Sequence, residues 1–85
     1  MASQIQGWLE AGLARKARWV LVCHDSFDLA DYPTYVAPDD DPRRRMLELS
    51  RASGDHVHAV FDLTLPIEEQ LREGRAWHLP PPLQN

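Results

Sequence analysis

Five consecutive apolar residues, Trp19-Val20-Leu21-Val22-Cys23, constrain this chain more than any other feature. The run is too short for a core helix, and its β-branched and aromatic content suits a strand. Successive strand residues point to opposite faces, so a strand that is apolar throughout is buried on both. The run therefore predicts a central strand in a sheet that needs cover on each side.

The flanking segments supply candidate layers. Ile5, Trp8, Leu9, Gly12 and Leu13 recur at three- and four-residue spacing and predict a helix over Ser3 to Lys16. Ser3 and Gln6 form a capping pair at its start, and Arg15, Lys16 and Arg18 complement its carbonyl end. The stretch HDSFDLADYP breaks every periodicity and reads as a loop. Thr34, Tyr35 and Val36, set between Pro33 and Pro38, suit an edge strand, because proline cannot donate to a ladder. Asp39 to Asp41 ahead of Pro42 open a second helix, which carries a narrow stripe of Met46, Leu49 and Ser50 and runs to about Ala52 before Ser53-Gly54-Asp55 turns the chain. From His56 to Leu63 the pattern alternates: Val57, Ala59, Phe61 and Leu63 point one way, His56, His58, Val60 and Asp62 the other. Thr64, Pro66, Glu68 and Glu69 open a short third helix that closes at Gly74, and the tail RAWHLPPPLQN favours an extended course.

The order α-β-β-α-β-α predicts a small α+β domain with a three-stranded mixed sheet in the order 2-1-3 and helices mainly on one face, the first two helices side by side. The other face would then carry half of the central strand together with His56, His58 and Val60, and a partner subunit is the expected cover. A homodimer follows as the expectation, with His56, His58, Val60, Trp77 and Leu79 as interface candidates. Residues 1–85 form one domain, with 80–85 as a frayed end. Twenty of the 85 residues are Leu, Ile, Val or Phe, enough to lift the chain above the disordered range. Its one cysteine leaves no intrachain disulfide to add stability.

Composition narrows function mainly by exclusion. A net charge of −4 and a pI near 5.4 argue against nucleic-acid binding, which needs Lys and Arg in local excess. No apolar run approaches the ~20 residues of a membrane span. Without a signal-peptide pattern, and with Cys23 placed as a reduced thiol, the chain reads as cytoplasmic. The charge is also uneven: Asp25, Asp28, Asp31, Asp39, Asp40 and Asp41 share a stretch without Lys or Arg, and Arg43, Arg44 and Arg45 follow at once.

Three constellations could carry chemistry. His56 and His58, two apart on a strand, could hold a metal with Cys23 or His24 as a third ligand, yet no second Cys/His motif accompanies them and no metal or cofactor is expected. Asp25, Asp28 and Asp31 lack the glycine and bidentate glutamate of a calcium loop and read as turn caps. Cys23 and His24, adjacent on a strand, face apart and cannot act as nucleophile and base. The arginine cluster reads as neutralising the Asp run, with an anion or acidic-partner site as the other possibility. No catalytic residue stands out. The expected function is that of a small self-associating accessory or regulatory protein acting by protein–protein binding. The alternative is a small enzyme or metal-dependent protein whose site, at a subunit interface, involves His56, His58 and Cys23.

The stretch CHDSFDLADYPTYV, followed by VFDL, an IEEQL helix and RAWHL, resembles a family of small bacterial and phage-encoded proteins of unknown function. The resemblance runs from about Ile5 to His78 and is most specific from Cys23 to Val36, although Ala30 stands where an acidic residue is expected. It implies a compact stand-alone domain and assigns no catalytic residues.

Overall fold

The structure is a computed structural model that describes residues 4–73 and 77–79. Its elements are α1 (Gln4–Ala14), β1 (Trp19–His24), β2 (Asp31–Val36), α2 (Pro42–Ser53), β3 (His56–Asp62) and α3 (Ile67–Glu73). The apolar run becomes β1, which lies between its two neighbours in a sheet of order β2-β1-β3. It pairs with β2 from Trp19 opposite Val36 to His24 opposite Asp31, and with β3 from Trp19 opposite Asp62 to His24 opposite His56.

The sheet is not mixed, because every hydrogen-bonded strand pair in it is antiparallel. Strands β2 and β3 do run in the same direction, as a crossover requires, but β1 separates them and they never form a parallel ladder.

Alternation along β1 divides the core into two. Val20 and Val22 join Leu9, Ala59, Phe61 and Leu63 on one face, covered by Ile5 and Trp8 of α1 and by Ile67 and Leu71 of α3. Trp19, Leu21 and Cys23 join Val36 and Val60 on the other, covered by Met46 and Leu49 of α2 and by Leu79. The expectation that the first two helices share a face is thus corrected: α1 and α3 lie together, and α2 crosses the opposite side. The β2–α2–β3 connection passes over β1 on a single face, and the Met46–Leu49 stripe is wide enough for only part of it, so Leu79 completes the layer. Both faces of β1 are covered within one chain, and the premise for a partner subunit on the sheet is gone.

Local signals explain most boundaries. Asp41, extended at φ −103°, accepts from the Arg43 amide as the α2 cap, with Pro42 following it, and Gly54 ends the helix at φ 71°. Helix α1 stops differently. Lys16 takes the left-handed conformation at φ 60°, while the Lys16 and Ala17 amides bond back to the Leu13 and Gly12 carbonyls, a closing pattern usually completed by glycine. Ser3 and Gly74, read as a cap and a stop, and the 80–85 tail lie outside the described residues.

Strand β3 departs from its alternating pattern. Val22 faces Ala59 and Cys23 faces Val57, so a bulge at His58 absorbs one residue. Val57 is thereby moved to the Val60 face, and the regular alternation expected through His58 ends there.

Candidate functional site

The metal alternative required His56, His58 and Cys23 to converge, and they do not. Cys23 is fully buried on the α2 side of the sheet, its thiol pushed up by burial although Thr34 and Tyr32 oppose that shift. A buried, protonated thiol is a poor ligand and nucleophile. His56 stands opposite His24, whereas His58 reaches Asp31, its Nε2 3.4 Å from Oδ1. His24 approaches the same carboxylate oxygen through Nδ1 at 2.9 Å. Asp31 is held below the usual carboxylate range, chiefly by the His24 hydrogen bond, which opposes the effect of burial, with a smaller contribution from His58. Among the described residues no group of three His, Cys, Asp or Glu side chains is placed to hold a metal ion.

The interface candidates also separate. Val60 is fully buried beneath its own chain and is corrected from interface to core. Leu79 packs on that core, and Trp77 remains about half exposed while bridging Val60 in parallel. The His78 amide donates to the Val60 carbonyl at 3.0 Å, so an isolated bridge ties the tail to β3.

A different feature of the sequence presents itself to solvent. The loop between β1 and β2 is shorter than its composition suggested, because Asp31 to Pro33 belong to β2. At its tip Phe27 is 92% exposed and Leu29 73% exposed. Small monomers commonly leave single apolar groups in water, but a phenylalanine and a leucine two positions apart on one tip are a concentrated apolar feature.

The loop is held by its own hydrogen bonds. One Asp25 carboxylate oxygen accepts from the Phe27 amide at 2.7 Å and from the Asp28 amide at 3.2 Å. The Asp25 backbone closes the base, donating to Ala30 and accepting from Leu29, each at 2.8 Å. Asp25 is therefore a turn cap, as its type suggested. A second anchor comes from behind: buried Asp55 accepts from the Ser26 amide at 3.3 Å and, through its other oxygen, from the Tyr32 hydroxyl. This ties the loop to the start of β3 and to β2 at once. Leu29 adopts φ 58°, a conformation that costs a non-glycine residue on the order of 1 kcal/mol and persists only where the surroundings fix it.

A second surface lies between α2 and the tail. Arg43, Met46, Leu47, Ser50, Trp77 and Leu79 line an open cleft of about 430 Å³. Leu47 and Trp77 are about half exposed in its walls. The arginine cluster beside it is partly engaged as expected: Arg44 pairs with Asp40 and Glu48, and Arg45 pairs with Glu48 at 2.9 Å. Arg43 lies in the cleft wall.

The sequence signal for the tip was the presence of Phe27 and Leu29 among turn formers, where no periodicity buries them. The Tyr32–Asp55 bond had no sequence signal, since it joins residues 23 positions apart. Comparison with family models, with curated proteins and with solved structures finds no match to this chain.

Proposed function

We propose that this chain is a small accessory protein that acts by binding protein, with the 25–30 loop as its recognition element. The observation that carries this reading is the exposure of Phe27 on a loop whose backbone is already fixed. Aromatic side chains are over-represented among the residues that dominate binding energy, and a loop ordered before contact loses less entropy on binding. Asp28 stands between the two apolar groups and Asp31 follows at the loop's foot, so the complementary surface is an apolar socket with a cationic rim.

The test is a comparison of captured proteins. Tagged wild type, Phe27→Ala and Leu65→Ala are used as bait in lysate, Leu65 being another exposed leucine, remote in sequence from the loop. Phe27→Ala is expected to lose the specific captures that Leu65→Ala keeps. Equal capture by all three baits overturns the loop as recognition element.

A further inference from the structure

We infer that His24 and His56 form a two-histidine chelate for a late divalent transition-metal ion, such as Ni²⁺ or Zn²⁺, with Asp31 holding His24 from behind. The pair is independent of the reading of the loop, and it is not the His56, His58 and Cys23 set that fails to converge.

The bulge in β3 creates the pair. Val22 faces Ala59, and that register carried on unchanged would set His24 opposite Val57. The extra residue instead brings His56 opposite His24. Residues directly opposed on antiparallel strands share a face, with Cβ atoms about 4.5–5.5 Å apart. At that spacing both imidazoles can reach one ion, whose bond to each ring nitrogen is about 2.0–2.1 Å.

The third strand orients the first ligand. Asp31 of β2 also stands opposite His24, so a row of carboxylate, imidazole and imidazole crosses the sheet from Asp31 through His24 to His56. Asp31, held ionised chiefly by His24, can only accept, so the His24 Nδ1 at 2.9 Å from its Oδ1 carries the proton. In the neutral ring Nε2 then keeps its lone pair, and it lies on the edge of the ring turned away from β2. A carboxylate behind one nitrogen is the usual support of a metal-ligating histidine, because it fixes the tautomer and raises the basicity of the other nitrogen. The His24 side chain is 37% exposed and His56 is exposed, so both are open to solvent.

The surroundings favour a cation while leaving the donors as nitrogen. Asp25 follows His24 and Asp55 precedes His56, and both add negative charge, but their carboxylates accept from loop amides and from the Tyr32 hydroxyl. His58 shares the Asp31 oxygen through Nε2 and is not one of the pair. Imidazole donors suit nickel and zinc, whereas magnesium and calcium take oxygen. Two protein ligands leave the other coordination positions to water.

Isothermal titration calorimetry of the full chain with nickel, zinc and magnesium chlorides, in a non-coordinating buffer at neutral pH, tests the inference. One Ni²⁺ or Zn²⁺ per chain is expected to bind, and Mg²⁺ is expected not to. Asp31→Asn is expected to weaken binding roughly ten- to a hundredfold, the usual loss when the support of a ligating histidine is removed, and His24→Ala and His56→Ala by no less. His58→Ala and His78→Ala are expected to keep it, with every variant checked for folding by circular dichroism. Ring nitrogen NMR signals of the loaded wild type are expected to place the ion on His24 Nε2, with the proton still on Nδ1. Absence of binding overturns the inference, as does Mg²⁺ binding of equal strength, which would put the ion among the aspartates. Binding that His56→Ala keeps and His58→Ala loses overturns the pair, and an ion on His24 Nδ1 overturns the role of Asp31.

Discussion

A buried carboxylate must be matched by donors, and Asp55 takes one on each oxygen, the Ser26 amide and the Tyr32 hydroxyl. The Tyr32 hydrogen bond is the largest influence on it and, against the opposing effect of burial, holds its carboxyl below the usual 3.8. The Tyr32 hydroxyl is in turn pushed up, first by burial and then by Asp55. A carboxyl whose pKa is lowered on folding stabilises the fold above its unfolded value, and that contribution is lost as pH falls through the lower folded value. Tyr32→Phe removes the donor and leaves the acid buried beside an apolar ring. The variant is expected to be less stable than wild type at pH 7, with the gap narrowing in acid below pH 3.8; urea denaturation across a pH series measures both.

Gly12 and Gly7 show how one helix uses the same residue in two ways. A Cβ at Gly12 would lie 2.8 Å from Leu63 Cδ1, 3.0 Å from Val20 Cγ2 and 3.3 Å from Tyr35 Cδ1, whereas at Gly7 it would meet nothing within 4 Å. Leu63 sits near the edge of the core and can turn aside, but Val20 is fully buried in the central strand and stiff at Cβ. Alanine gains about 1 kcal/mol of helix propensity over glycine, while overpacking costs about 1–3 kcal/mol. Gly7→Ala is therefore expected to stabilise the protein by about 0.5–1 kcal/mol, and Gly12→Ala to destabilise it by about 1 kcal/mol, both read from denaturation midpoints. At the far end of the sheet, buried Gln70 of α3 performs a comparable local task. It accepts from the Asp62 amide at 3.0 Å and donates to the Asp62 carbonyl at 2.9 Å, so a helix satisfies backbone groups where the ladder stops. Burial alone would raise the Asp62 carboxyl, but Thr64 and Arg18 together bring it below the usual range.

For the molecule as a whole, the central strand sets the requirement and four separate pieces meet it. Helices α1 and α3 cover one face, and α2 with Leu79 covers the other. The tail is part of the fold, since it gives the β3 edge a hydrogen bond at Val60 and fills the space that α2 leaves. Removing 77–85 is expected to lower stability by more than ~1 kcal/mol in urea denaturation, because Leu79 leaves the core and the Val60 carbonyl loses its donor. Unchanged stability on this truncation would show that the tail only rests on the body.

Much of the architecture was legible because its causes are local. The apolar run dictated a central strand, Asp41-Pro42 and Gly54 bounded α2, and spacing placed α1, so element order and the 2-1-3 arrangement followed. Asp25 declared its turn role through its type alone. Which face each helix covers was not legible, because a helical stripe shows that a face is buried without showing against what. The bulge at His58 was hidden for a related reason: alternation tells which residues share a side only while the ladder stays regular, and register is settled by pairing with β1. The Tyr32–Asp55 bond, the approach of His24 and His58 to one carboxylate, and the cleft joining α2 to the tail all depend on residues distant along the chain. Sequence determined the pieces and the need to bury them; tertiary packing decided which apolar groups were left outside, because exposure is what remains after every other surface has found its cover.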